Sequence, residues 1–247
     1  NTITALLFIQ VAAYAQQPAN RTSATKIADV LAQQPAEEQS KFISAMKELE
    51  GFTAEDVSKL LLGLKPQGGN NAPIEYATNS YAFYVMQPGF ENQRATYVQG
   101  LLSALDNLQD ANNKGYVLEL LKFCAKNDAI AKVAPYLSDE YLAEKAARVL
   151  NAIRTPEAAA ALNTALASSA TEKTATAIIA ALGDLKSNEA EAKIIELIGK
   201  YPSENFQWNG LTALSKIGGA QSSALFLDKA KALKFVLRQP WRPHWTH

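Results

Sequence analysis

The run VLNAIRTPEA at residues 149–158 returns 32 residues later as ALGDLKSNEA at 181–190. Leu150, Leu182 and Leu214 keep that spacing, as do Ile153, Leu185 and Ile217, then Glu157, Glu189 and Gln221, then Leu162, Ile194 and Phe226. A unit of about 30 residues with apolar positions at helical spacing cannot bury its own apolar face, so copies must stack to close a core. A shift of 29 residues carries the pattern backwards, setting Val133 on Leu162 and Cys124 on Ile153. The expected fold is all-α: a right-handed α-solenoid built from helix pairs.

Working outward, Tyr97 to Leu108 is expected to pair with Tyr116 to Ala125, and Ala129 to Leu137 with Tyr141 to Ile153. Ala158 to Ala167 then pairs with Thr171 to Leu185, Ala190 to Lys200 with Glu204 to Ile217, and Ser222 to Leu233 opens a further unit. Short turns such as Thr155-Pro156 and Ser187-Asn188 suit antiparallel neighbours. Towards the N-terminus, Pro66, Gly68, Gly69, Asn70 and Asn71 mark residues 65–73 as a loop and the best internal boundary. It divides an N-terminal helical subdomain, residues 16–64, from the array at 74–235.

In the subdomain, Pro35 followed by Glu37 and Glu38 suits a helix start, with Phe42, Ile43, Met46 and Leu49 as the inward stripe. Thr53 opens the next helix, with Glu55 and Asp56 in its first turn and Val57, Leu60, Leu61 and Leu64 facing inward. Both acidic pairs read as helix-start charges rather than an acid/base couple. The aromatics Tyr76, Tyr81, Phe83 and Tyr84, at helical spacing, read as core.

The two ends differ from the body. Ile3 to Val11 is a nearly continuous apolar run, followed by Ala13-Tyr14-Ala15 in the small-x-small pattern of a signal-peptidase site, so residues 1–15 read as a cleaved secretory signal. The protein is therefore expected to be exported, to the periplasm, the cell surface or the exterior. The run is shorter than the roughly 20 apolar residues a membrane span requires, and no stable span is expected. No basic residue precedes Arg21, so a few upstream residues are read as lost. Residues 236–247 hold Trp241, Trp245, Pro240, Pro243 and both histidines, and read either as a foreign or truncated end or as a natural linker.

Twenty-four basic and 24 acidic residues cancel, which leaves no basic surface for phosphate and argues against nucleic acid as a partner. Serine–histidine–acid chemistry is excluded for the body of the chain, since no histidine precedes His244. No Gly-rich phosphate loop occurs, no cofactor is implied, and His244 and His247 lack the company of a metal site. Cys124 reads as a small buried hydrophobe. Carboxylates are plentiful, yet no spacing sets two across one cleft as glycosidase chemistry requires.

What is left is binding. Trp208 departs from its repeat equivalents Thr176 and Glu144, both polar, and a large aromatic at the edge of a buried stripe is a frequent binding anchor. Asn209, Lys145 and Arg148 complete a polar rim in this reading. The competing reading has Trp208 covering the flank against the next unit.

The two ten-residue runs quoted first resemble HEAT-type repeats. The segments YAFYVMQPG at 81–89, LLSAL at 101–105 and APYLSDE at 134–140 resemble the N-terminal region of large secreted Bacteroidota proteins. There a HEAT-like region precedes a domain similar to 3-keto-disaccharide hydrolases. The resemblance implies a non-catalytic scaffold for a protein or glycan ligand, the accessory front of a carbohydrate-active protein whose catalytic domain would follow in the same chain. Two alternatives are a fragment that walls the substrate site of such a hydrolase, and a stand-alone protein-binding module.

Overall fold

A computed structural model describes residues 21–237 of the chain, with side chains to Lys231. The expected signal segment and all but the first two residues of the atypical tail lie outside the described residues. Among those described, every regular element is helical, and no helix is long and apolar enough to cross a membrane. The chain divides after Asn107 into two compact units.

The first unit contains α1 (Ser23–Ala32), α2 (Gln39–Glu50), α3 (Ala54–Leu62), α4 (Ala72–Tyr84) and α5 (Glu91–Asn107). α3 and α5 make its main packing, α1 lies on α3 and α4, and α2 on α4. The 65–73 loop expected to separate two domains is instead a connection inside this unit. Its Gly/Asn chemistry reports a local turn, whereas the division of the chain depends on which helices share a core. Likewise α5, expected to pair with the helix after it, packs on α3. A Cβ at Gly100 would stand 2.6 Å from Val57 Cγ1 and 2.8 Å from the Ala54 carbonyl, so the glycine lets these helices cross closely.

Three local expectations are corrected. α2 begins at Gln39, with Glu38 as its N-cap, and Pro35 stands in the preceding turn. The inward residues of α2 are Ala45, Met46 and Leu49, and Ile43 is exposed because it lies round the helix from that stripe. The α4 aromatics split: Tyr81 is buried, Tyr84 is half-buried, and Tyr76 and Phe83 face solvent. Periodicity alone could not show that α4 has a single covered side.

α3 bears out its reading. Thr53 caps it reciprocally: the Asp56 N–H donates to Thr53 Oγ1 at 3.2 Å, and the Thr53 N–H to Asp56 Oδ2 at 3.0 Å. Lys26 Nζ reaches the same carboxylate at 3.0 Å. Burial alone would raise the Asp56 carboxyl, but hydrogen bonds from Ser23, the Thr53 N–H, Lys26 and the Thr53 hydroxyl outweigh it and hold the group down at about 2. A carboxyl depressed from its ordinary 3.8 contributes stability above pH 4 and loses it as pH falls towards 2. Asp56→Asn is accordingly expected to cost the first unit on the order of 2 kcal/mol at pH 7, a deficit that disappears near pH 2. Hydrogen exchange of α1 to α3 across that pH range checks it; a deficit independent of pH would assign the loss to an acceptor exchanged for a donor rather than to the carboxylate charge.

The second unit contains α6 (Ala111–Cys124), α7 (Ile130–Val133), α8 (Ala143–Ile153), α9 (Pro156–Ala167), α10 (Glu172–Asp184), α11 (Glu191–Lys200), α12 (Glu204–Ile217) and α13 (Ala220–Leu237), with short 3-10 turns at Asn127–Ala129, Ala134–Ser138 and Asn188–Ala190. α6, α8, α10 and α12 pack each on the next, while α9 packs on α8 and α10, α11 on α12, and α13 on α11. Leu150, Leu182, Leu214, Leu162 and Ile194 are buried, as are Val133 and Cys124, and Ile153, Leu185 and Phe226 are half-covered. The repeat therefore marks core positions.

Two further registers recur. Asp110, Asp139, Thr171 and Ser203 stand 29, 32 and 32 residues apart, and each side chain accepts the N–H three residues on, from Asn113, Leu142, Thr174 and Phe206. Arg154, Lys186 and Gly218, 32 apart, all take the left-handed conformation, with φ of 57°, 54° and 70°. Side chains also tie successive copies together. Asp184 accepts from Asn151 of one copy at 3.2 Å and from Lys216 of the next at 2.7 Å. Asn127 donates to Glu157, Ser203 to Glu172, and Ser222 to the buried Glu191.

Candidate functional site

The series α8, α10 and α12 forms the walls and floor of a groove of about 840 Å³ within the second unit. Its floor follows from small residues: Ala143 and Ala147 from α8, and Ala177, Ala180 and Ala181 from α10. Larger side chains at these positions would fill the space. The α10 and α12 backbones approach closely because Gly183 has no Cβ; one there would lie 2.7 Å from Ala213 Cα and 2.9 Å from its Cβ.

The rim is polar. Lys145 and Arg148 of α8 and Asn209 of α12, three of the four residues singled out in the sequence, line this one groove. Trp208, the fourth, is outside the lining: α12 contributes Asn205 and Asn209 to the groove, and the indole is 74% exposed. That exposure disagrees with the reading of Trp208 as cover for the flank.

Several of the charges on the rim are held by opposite charges. Arg148 Nη2 is 2.6 Å from Glu144, and Lys145 Nζ is 3.3 Å from Glu119, which also receives Lys122 at 2.6 Å. Burial would raise the Glu119 carboxyl, but the hydrogen bonds and charges of Lys122 and Lys145 outweigh it and keep it below the ordinary carboxylate value. Asp184 is paired with Lys216, and the Glu172 carboxylate accepts from the Ser203 hydroxyl. Asn209 Nδ2 donates to the Asn205 carbonyl at 2.8 Å.

Tyr141 escaped the sequence reading. It lines the groove, is 52% exposed, and donates its phenol O–H to Asn112 Oδ1. A signal was present: one and two repeats on, the same position carries Lys173 and Asn205, so the aromatic is as much a departure as Trp208.

The lining has no histidine, cysteine or serine, and among the described residues no group of three or more His, Cys, Asp or Glu could hold a metal ion. Cys124 is buried in the second unit with its Sγ against the Leu120 carbonyl. The arrangement can hydrogen-bond and pack against a ligand. Comparison with protein-family models, curated proteins and solved structures finds no match.

Proposed function

We propose that this chain is a non-catalytic scaffold that holds a protein or glycan ligand in the groove between α8, α10 and α12. In this reading the helix pairs of the second unit are HEAT-like copies following a right-handed superhelix, as the 32-residue register of caps, left-handed residues and copy-to-copy bonds suggests. The protein acts as the accessory region of an exported carbohydrate-active protein.

One observation carries the proposal: an alanine-floored groove of about 840 Å³ whose polar rim gathers Lys145 and Arg148 from α8 and Asn209 from α12. Its size is that of a ligand site, which typically spans about 300–1,000 Å³. Carboxylates engaged by Arg148, Lys216 and Ser203 favour holding over hydrolysis.

Ala180 is exposed and lines the groove, so Ala180→Trp should plug it without disturbing the core. Probing immobilised peptide and glycan arrays with the full chain is expected to yield ligands whose signal falls at least tenfold with Ala180→Trp, at an unchanged melting temperature. Turnover of chromogenic glycosides by the purified chain would overturn the non-catalytic reading, and a signal indifferent to Ala180→Trp would remove the groove from it.

A further inference from the structure

We infer that the ligand of this groove is a short neutral oligosaccharide, with one sugar ring seated on the face of Tyr141. The inference rests on the groove being the ligand site and specifies what it takes.

Tyr141 supplies the platform. Its phenol O–H is tied to Asn112 and its backbone N–H donates to Asp139 Oδ1 at 2.8 Å, so the ring is held at both ends while about half of the residue is exposed. An aromatic face already fixed in place costs little ordering entropy when an apolar surface stacks on it. The C–H face of a pyranose is such a surface, and its edge carries hydroxyls.

Charge decides against an ionic ligand. Counting the partners that reach in, Glu119, Lys122 and Lys216, the carboxylates and cations around the groove balance. Arg148, Lys145 and Asp184 already hold opposite charges, and the lining charges outside those pairs, Lys173, Glu140 and Glu172, are of both signs, so no field of one sign draws an ionic ligand in. A hydroxyl needs no such field. It donates to a lone pair that a paired carboxylate leaves unused and accepts from a spare guanidinium or ammonium N–H. The Asn205 and Asn209 amides and the Thr176 hydroxyl add groups that serve both roles.

Shape decides against a protein surface. A stable protein–protein interface engages about 800 Å² per partner on open ground. This groove is a half-open trough of about 840 Å³, and its alanine floor lets the apolar face of a sugar ring come close to the helices.

Calorimetric titration of the full chain with maltotriose, cellotriose and laminaritriose, and in parallel with a pool of random hexapeptides, tests the assignment. Binding of at least one trisaccharide is expected, weakened tenfold or more by Tyr141→Ala, less by Tyr141→Phe, and abolished by Ala180→Trp. Should Tyr141→Ala fail to fold, Tyr141→Phe and Ala180→Trp decide. Hexapeptide binding blocked by Ala180→Trp, with no trisaccharide bound, overturns the sugar assignment and leaves the groove as a ligand site. Trisaccharide binding indifferent to both positions overturns the groove itself, and no binding of either probe overturns the inference.

Discussion

Replacing Gly183 by valine is expected to lower the stability of the second unit by about 3 kcal/mol, the upper end of what overpacking costs. The added Cβ would meet Ala213 Cα at 2.7 Å and Cβ at 2.9 Å, and these are attached to a helix rather than to the end of a flexible side chain. Relief requires α10 and α12 to move apart, which opens the packing around Leu182 and Leu214. For a unit of this size the loss corresponds to a fall of roughly 10 °C in melting temperature. Gly183→Ala should be milder, and pairing it with Ala213→Gly should restore part of the loss by removing one of the two colliding atoms. Differential scanning calorimetry of the three variants reads this directly. A valine variant that melts like the parent would mean that the two helices are not held at this separation. Because Ala180, Ala181 and Asp184 flank Gly183 on α10, the same displacement should also spoil the groove.

The largest expected effect in the first unit belongs to Tyr97. Its side chain is buried, its ring meets Tyr81 edge-on with centroids 5.1 Å apart, and its O–H donates to the Thr78 carbonyl at 2.8 Å. Truncation to alanine removes the ring and leaves a cavity between α4 and α5, at a cost of about 4 kcal/mol. Tyr97→Phe keeps the ring and removes one hydrogen bond, at about 1 kcal/mol. Hydrogen exchange of the α4 and α5 amides should show the loss there. Equal losses in the two variants would shift the weight from the ring to the hydroxyl.

How far the fold could be read in advance depends on the range of the cause. Leu150, Leu182 and Leu214 announce themselves through spacing, and the helices they belong to were legible together with their pairing in the second unit. Thr53 and Asp56 were legible as a helix start because a cap is made within four residues. The partnership of α3 with α5 was not, since periodicity says which side of a helix is covered and not by what. Arg154 and Lys186 hide a left-handed position that only Gly218 betrays. The groove was half legible: Lys145, Arg148 and Asn209 came from comparing copies, but bringing them together takes three helices, and Tyr141 passed unnoticed beside the more conspicuous Trp208. An exposed tryptophan is prominent in a sequence whether or not it borders a cavity.

The side-chain bonds that join successive copies, Asn127 to Glu157, Asn151 to Asp184, Lys216 to Asp184, Ser203 to Glu172 and Ser222 to Glu191, all bridge 30–33 residues. Closing a loop of that length is cheap and fast, and contacts local in sequence favour rapid folding. The second unit can thus form as it is synthesised. Each new helix pair can latch onto the one before it as soon as some thirty further residues have left the ribosome, without waiting for a distant part of the chain.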